Sequence, residues 1–164
     1  MKNWLSGLDL KEEDARKILL QRTRRKPVIL KKHFSDKEMK FGVVSDTHLC
    51  SNHEKIDELH TFYAICEKVG CKFILHAGDI LEGSGRIYRG QLSEIKVYGA
   101  VRQASYVIAN YPKAKVPTYF VAGNHCVSFF NENGVDVCEL ISEKRKDLVY
   151  LGQFQADIEL NGIT

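Results

Sequence analysis

The stretch Phe41-Gly-Val-Val-Ser-Asp-Thr-His-Leu49 joins a short apolar run to an Asp-x-His triplet. Two later stretches have the same design, namely Phe73-Ile-Leu-His-Ala-Gly-Asp79 and Thr118-Tyr-Phe-Val-Ala-Gly-Asn-His125. Short runs of β-branched and aromatic residues that stop at small residues are typical of buried strands. The sequence therefore predicts three strands, each of which ends in polar residues.

These polar residues point to a metal site in an α/β fold. In an open parallel α/β sheet, ligands bind in the crevice beyond the carboxyl ends of the strands. Carboxylate oxygen, amide oxygen and imidazole nitrogen suit hard or borderline divalent cations. The candidate ligands at the three strand ends are Asp46, His48, Asp79, Asn124 and His125.

Three sequence blocks carry a resemblance to a known family. They are Ser45-Asp-Thr-His-Leu49, Ala77-Gly-Asp-Ile-Leu-Glu-Gly83 and Ala122-Gly-Asn-His-Cys126. In this order and at this separation, they resemble the first three signature blocks of the calcineurin-like metallophosphoesterases. A single Asp-x-His occurs often by chance, whereas three ordered blocks at strand ends are specific. The resemblance covers about residues 40–160 and implies the α/β sandwich of that family and hydrolysis of phosphomonoesters or phosphodiesters.

The resemblance also implies the metal ligands. Asp46 and His48 match the ligands of the first metal, Asp79 the carboxylate that bridges both metals, and Asn124 the amide ligand of the second. The family uses two divalent ions, usually some mixture of manganese, iron or zinc. Two such ions roughly 3.5–4 Å apart lower the pKa of a bound water and clamp the substrate.

Further residues are assigned to the reaction and to the substrate. By the same resemblance, His125 matches the histidine that acts as general acid toward the leaving oxygen, and Glu82 the acidic residue that orients it. The segment 82–91, with three glycines and two arginines, is predicted to be a surface loop at the mouth of the site. Arg86 or Arg89 could bind a phosphoryl oxygen bidentately, or both could simply be solvated.

Two features depart from the family pattern. The family completes its site with further histidines in its C-terminal half, including a Gly-His-x-His block, whereas no histidine follows His125 here. We therefore expect an N-terminal portion of the domain with the C-terminal half missing, and weak metal binding and little activity from this chain alone. Cys126 stands where the family usually has Asp or Glu, a change that bears on tuning more than on ligation.

The N-terminal segment differs from the rest in charge. Residues 1–40 carry a net charge of +6 and residues 41–164 a net charge of −3. We predict a basic helical leader over 1–39, with a helix over Leu10–Arg22, and a phosphoesterase domain over 40–164. Arg22–Lys26 and Lys31-Lys32 form a basic patch. This leader is either the remnant of a helix-turn-helix module that contacts DNA or RNA, or a solvated helix and linker.

Composition excludes several other classes of protein. No apolar stretch reaches membrane-spanning length, and the N-terminus lacks the apolar core of a signal peptide, so we expect a cytoplasmic protein without membrane partners. The five cysteines show no Cys-x-x-Cys spacing, which argues against a disulfide framework or a zinc ribbon. His53 and His60 are expected on the exposed side or rim of the helix that follows the first candidate metal-binding loop, and His76 is expected in the protein core.

The remaining elements follow from periodicity and turn signals. Apolar residues at helical spacing predict three helices, over Glu54–Val69, Leu92–Ala109 and Val135–Ser142. A fourth strand is predicted over Asp147–Gly152, a half-exposed strand over Gln153–Leu160, and a hairpin turn at Asn161-Gly162.

Three functional hypotheses follow from the sequence. The first is a metal-dependent phosphoesterase with a dinuclear centre and a histidine general acid. The second is a nucleic-acid-processing nuclease or phosphodiesterase, which the basic leader favours. The third is a non-catalytic module that keeps the fold without the metals, which the missing histidines and Cys126 favour. The substrate, the metals and the oligomeric state are left open by the sequence.

Overall fold

The computed structural model of the chain describes residues 28–35, 38–85 and 90–163. Strands and helices alternate through most of these residues, which confirms the predicted α/β class. The strands are β1 (Ile29–Lys32), β2 (Gly42–Val44), β3 (Ile74–His76), β4 (Thr118–Val121), β5 (Leu148–Gly152) and β6 (Asp157–Leu160). The helices are α1 (Ile56–Lys68), α2 (Ala100–Asn110), α3 (Gly123–Asn133) and α4 (Val137–Lys144), with a 3₁₀ helix at Gln91–Glu94.

Four strands form a parallel sheet in the order β2-β3-β4-β5. Val44, His76 and Phe120 lie in one row across the first three strands. Because these strands run in the same direction, their carboxyl ends meet at one edge of the sheet. The three strands predicted from the apolar runs are therefore neighbours, and the polar residues that follow them share that edge.

The four-stranded sheet is covered on both faces. Phe120 of β4 packs into the core shared with the four helices, whereas Tyr119, the preceding residue, packs with Leu30 of β1 and Ile158 of β6. This alternation is expected, because successive strand side chains point to opposite faces. Strands β1 and β6 pair in parallel as a second, two-stranded sheet. The result is a layered arrangement of helices, a central sheet and a small outer sheet.

The helix predicted over Leu92–Ala109 is wrong in its first half, because α2 begins only at Ala100. Gly99, immediately before it, has φ = +93°, a positive value that glycine tolerates and that does not belong to a right-handed helix. The N–H of Lys96 donates to the carbonyl of Cys50 at 2.7 Å. This backbone contact holds the segment against the loop that follows β2, so tertiary pairing overrides the helical periodicity.

Helix α3 was not predicted from the sequence. It begins at Gly123, directly after β4, and ends before Gly134, which has φ = +74°. Its buried face includes Val127 and Phe129, but polar residues flank this short apolar segment on both sides. The sequence pattern therefore predicts where β4 ends but does not predict that a helix begins there.

Strand β1 was also not predicted, and it includes both lysines of the proposed basic patch that the structure describes. Lys31 forms an ion pair of 2.6 Å with Glu159, and Nζ of Lys32 lies 5.3 Å from the centre of the Tyr119 ring. Both lysines therefore have partners within the protein and give no support to nucleic-acid binding. The predicted helix over Leu10–Arg22 and the patch at residues 22–26 lie outside the described residues, and the division of the chain at residue 40 stays a prediction.

The other predicted elements agree with the structure to within a few residues. Helices α1 and α4 and strands β5 and β6 all overlap their predicted ranges. The predicted turn is confirmed, because Asn161 and Gly162 both have positive φ, +51° and +83°, as a type I′ turn requires. Among the described residues, the longest helix has 13 residues, and none is long and apolar enough to cross a membrane.

The buried guanidinium of Arg145 joins the end of α2 to the start of β5. Its Nε and Nη2 donate to the two carboxylate oxygens of Asp147 at 2.8 and 2.6 Å. Its Nη1 and Nη2 donate to the carbonyls of Ile108, Tyr111 and Pro112 at 2.9–3.1 Å. These carbonyls lie in and after the last turn of α2, where backbone acceptors lack helical partners. The hydrogen bonds from Arg145 also hold the pKa of Asp147 below its ordinary value.

His76 of β3 is buried, as predicted, and forms a directed chain of hydrogen bonds. The N–H of Gly78 donates to Nδ1 of His76 at 3.3 Å, so the ring proton lies on Nε2. Nε2 then donates to Oγ1 of Thr47 at 3.0 Å, and the Thr47 hydroxyl donates to the carbonyl of Ile80 at 3.1 Å. Burial lowers the pKa of His76 to about 4, so the ring is neutral near pH 7.

Replacing Arg145 by lysine should lower the free energy of unfolding by about 2–4 kcal/mol, because lysine cannot reproduce the five-bond fork and leaves buried carbonyls unpaired. Arg102→Lys, at an exposed position of α2, is the matched control and should change it by less than about 0.5 kcal/mol. Urea unfolding followed by circular dichroism measures both. Equal losses for the two variants would contradict the anchoring role of Arg145.

The buried His76 should make the protein less stable in mild acid. In the unfolded chain the ring takes up a proton near its ordinary pKa of 6.5, whereas in the folded protein it does so only near 4. Between these values the unfolded state binds more protons, so lowering the pH from 7 to 5 should cost about 2 kcal/mol from this group. His76→Gln should lose that part of the pH dependence in urea unfolding, and His60→Gln, at an exposed site, should keep it. Identical pH dependence in the two variants would contradict this assignment.

Candidate metal centre

Backbone hydrogen bonds between neighbouring strands continue past the strand ends into the site. The N–H of Asp46 donates to the carbonyl of Gly78 at 2.9 Å, and the N–H of His48 donates to the carbonyl of Asp79 at 3.0 Å. On the other side, the N–H of Asp79 donates to the carbonyl of Ala122 at 2.8 Å. The three loops are therefore fastened to one another, and their side chains are held at fixed separations.

Three of the predicted ligands have an unusual backbone conformation. Asp46, His48 and Asp79 have φ values of +53°, +40° and +56°. Positive φ is uncommon for residues with a side chain, and such residues cluster at functional sites where the surrounding structure imposes them. Here the hydrogen bonds between the loops impose the conformation and turn the three side chains toward the same edge.

The turn at the end of β4 brings the third sequence block against Asp79. A Cβ atom at Gly123 would lie 2.3 Å from Oδ1 of Asp79, and Gly123 has φ = +78°, so the position requires glycine. The same Oδ1 accepts a hydrogen bond of 2.8 Å from the N–H of His125. Asn124 lies between these two residues and is exposed at the start of α3.

Asp46, His48 and Asp79 form a group that could hold a divalent ion. Each offers one ligand atom, and these atoms lie within 4.8 Å of one another. Oδ1 of Asp46 is 3.6 Å from Nε2 of His48, a separation that one ion with bonds of about 2.0–2.2 Å can bridge. A hydrogen bond from Ser45 lowers the pKa of Asp46, which keeps this ligand ionised. The donor set therefore fits a metal ion of the kind that the sequence predicts.

The carboxylate of Glu82 bonds a histidine other than the one that the resemblance implies. Its Oε2 lies 3.0 Å from Nδ1 of His48, and its Oε1 accepts a hydrogen bond of 2.8 Å from Nε2 of Gln91. Nδ1 of His125 instead lies 2.7 Å from the backbone carbonyl of Glu82. The two imidazole rings meet edge to face, with centroids 4.3 Å apart. Glu82 therefore serves both histidines, one through its side chain and one through its backbone.

These groups open into a cleft of about 580 Å³. Its polar lining includes the candidate ligands Asp46 and His48 together with Glu82 and His125. Other lining residues come from α1 and the loop before it, and some of these are apolar. The residues that line the cleft include Asp46, His48, Glu82, Gln91 and His125, together with His53, Lys55, Leu59 and Phe62.

Several predicted positions lie elsewhere. Arg86 and Arg89 fall outside the described residues, so their contact with substrate stays a prediction. His60 is exposed and bonds the carbonyl of Asn110 at 3.2 Å, and neither His60 nor His53 belongs to a ligand group within the described ranges. The Cys126 side chain is buried rather than directed at the cleft, and it contacts the thiol of Cys138.

Sequence reasoning placed Gln91 in a surface loop at the mouth of the site but missed its burial, and it did not single out Lys55 as a residue of the cleft. Neither belongs to a recognised motif, and Gln91 closes a glycine-rich segment that resembles an ordinary surface loop. Only the three-dimensional placement of the 3₁₀ helix shows that Gln91 is buried beside Glu82.

Comparison with known proteins agrees with this arrangement. No curated protein gives a significant match to the chain. The sequence profile of the family described as calcineurin-like phosphoesterase matches residues 39–158, which is well over half of the chain and includes all three signature blocks. The chain therefore belongs to the calcineurin-like phosphoesterase family.

Proposed function

We propose that this protein hydrolyses phosphomonoesters or phosphodiesters with two divalent ions held at the carboxyl edge of its parallel sheet. The observation that carries the proposal is the convergence of Asp46, His48 and Asp79 in a member of a phosphoesterase family. Their ligand atoms lie within 4.8 Å of one another, and Asp46 and His48 line the cleft. The cleft volume of about 580 Å³ lies in the range typical of small-molecule sites.

In this proposal the ligands follow the order of the strand ends. Asp46 and His48 would hold the first ion, Asp79 would be shared by both ions, and Asn124 would offer its amide oxygen to the second ion from the start of α3. Manganese, iron and zinc all accept this mixture of oxygen and nitrogen donors. When bound, such ions supply positive charge for the phosphoryl oxygens and make water a better nucleophile at neutral pH.

His125 is proposed as the general acid. A backbone carbonyl can only accept, so the 2.7 Å contact with the Glu82 carbonyl places a proton on Nδ1 of His125. In the cationic ring the second proton lies on Nε2, from which it can be given to the departing oxygen. The His125 ring is buried beside His48 at the cleft, so the packing holds its orientation.

The lining residues of α1 and of the loop before it would bind the rest of the substrate. Lys55 and His53 line the cleft and can offer hydrogen bonds to an anionic phosphoester, while Leu59 and Phe62 offer apolar contact to its organic part. Neither contact is specific enough to choose between monoesters and diesters.

Asp79→Asn should abolish the proposed activity, because it removes the charge shared by both ions. We expect Mn²⁺ affinity in isothermal titration calorimetry to fall by at least about 100-fold, since outer-shell changes alone commonly cost 10–100-fold. Turnover of bis-p-nitrophenyl phosphate should fall to background. Asp57→Asn, at an exposed site in the first turn of α1, is the matched control. Equal Mn²⁺ affinities for Asp79→Asn and Asp57→Asn would contradict the role of Asp79.

His125→Asn should slow hydrolysis most where the leaving group needs a proton. For an alkyl phosphoester we expect a loss of about 10²–10⁴-fold in kcat, the usual contribution of a general acid. For a p-nitrophenyl ester the loss should be much smaller, because p-nitrophenolate leaves without protonation. His60→Asn should leave both rates unchanged. An equal loss for both esters would show that His125 acts in some way other than proton donation.

A further inference from the structure

We propose that Gln91 is a positioning residue that holds the Glu82 carboxylate against Nδ1 of His48, so that Nε2 of His48 stays free of a proton and would be available to bind a metal ion. The expected effect on metal binding rests on the proposed metallophosphoesterase function. The hydrogen bonds from which it is inferred join only side chains of this chain. Gln91 touches neither the candidate ligand atoms of Asp46 nor those of Asp79 in the described contacts; it acts through Glu82.

The directions of the hydrogen bonds are set by the chemistry of the groups. The Glu82 carboxylate can only accept, so the 3.0 Å contact with His48 places the ring proton on Nδ1. In the neutral ring, Nε2 then carries the lone pair, and it lies on the side of Oδ1 of Asp46, 3.6 Å away. A metal-binding histidine commonly has its other nitrogen bonded to a carboxylate in this way, which fixes the tautomer and makes the ligand more basic.

Gln91 fixes which oxygen of Glu82 performs this task. The Glu82 side chain is only 5% exposed, so few of its hydrogen bonds can be to water. Nε2 of Gln91 donates to Oε1 at 2.8 Å and leaves Oε2 for His48. A flipped Gln91 amide would place its oxygen against the carboxylate, which cannot donate, so the orientation of the amide is determined.

The neighbouring contact with His125 agrees with this assignment. Nε2 of Gln91 is 3.3 Å from Nδ1 of His125, but Nδ1 already donates over the shorter distance of 2.7 Å to the Glu82 carbonyl. The 3.3 Å contact therefore joins two donors and is a packing contact. Gln91 therefore packs against His125 while its amide proton goes to Glu82.

The backbone around Gln91 is held by the loop that follows the first ligand block. Gln91 begins the 3₁₀ helix and is 7% exposed. The N–H of Asn52 donates to the carbonyl of Glu94 at 2.7 Å, and the N–H of Lys96 donates to the carbonyl of Cys50 at the same distance. The 3₁₀ helix is therefore clamped to the segment that carries His48, which keeps Gln91 and its target in register.

The test compares Gln91→Met, which keeps the length of the side chain and removes the amide, with Gln155→Met at an exposed position. Uniformly ¹⁵N-labelled, metal-free protein is examined by long-range ¹H–¹⁵N NMR at alkaline pH, where imidazole is ordinarily neutral. We expect wild type and Gln155→Met to show His48 as the single Nδ1–H tautomer, and Gln91→Met to show a mixture. Calorimetry should give a Mn²⁺ affinity about tenfold weaker for Gln91→Met, the lower end of the usual outer-shell effect.

Two results would overturn the inference. One is an Nε2–H tautomer of His48 in the wild-type protein, which needs no variant and so holds even if Gln91→Met does not fold. The other is a Gln91→Met protein whose His48 tautomer and Mn²⁺ affinity equal those of Gln155→Met. Failure of the proposed function is distinguishable, because a wild-type chain that binds no Mn²⁺ leaves the tautomer comparison intact, and that comparison then decides the inference alone.

Discussion

The close approach of the Asp79 carboxylate to the backbone of residues 123–125 is the constraint on which the rest of the site depends. Oδ1 of Asp79 accepts from the N–H of His125, and the backbone N–H of Asp79 donates to Ala122, so the ends of β3 and β4 are joined twice. This geometry leaves no space for a side chain at Gly123. It also fixes where α3 begins, and thereby places Asn124 and His125 relative to the Asp79 carboxylate.

The two edges of the parallel sheet differ in how their polar groups are used. At the amino edge, Arg145 donates hydrogen bonds to the Asp147 carboxylate and to the carbonyls at the end of α2. Among the described residues, no non-glycine residue at this edge has a positive φ. At the carboxyl edge, Asp46, His48 and Asp79 all have positive φ. Strained conformations persist only where surrounding contacts enforce them. The hydrogen bonds of Arg145 and the turns that carry the candidate metal ligands therefore lie at opposite ends of the strands.

Features that depend on neighbouring residues in the sequence could be predicted. The apolar runs located β2, β3 and β4, and the residues after each run correctly indicated that Asp46, His48 and Asp79 would meet, because parallel strands end at one edge. Features that depend on distant partners were missed. Strand β1 forms only because β6 lies beside it, more than 120 residues later in the chain. The segment before α2 pairs with the backbone of Cys50 and does not form the helix that its own periodicity predicts.

Glu82 contacts His48 through its carboxylate and His125 through its backbone carbonyl. These two contacts suit the different tasks proposed for the two histidines. His48 would bind a cation, and a carboxylate on its Nδ1–H makes the opposite nitrogen a stronger ligand. His125 would release a proton, and for that task a strong negative partner is a disadvantage, because it stabilises the charged ring that must lose the proton. A backbone carbonyl orients the ring with only a dipole. One buried residue can therefore make one imidazole a better ligand and hold the other in place without weakening it as an acid.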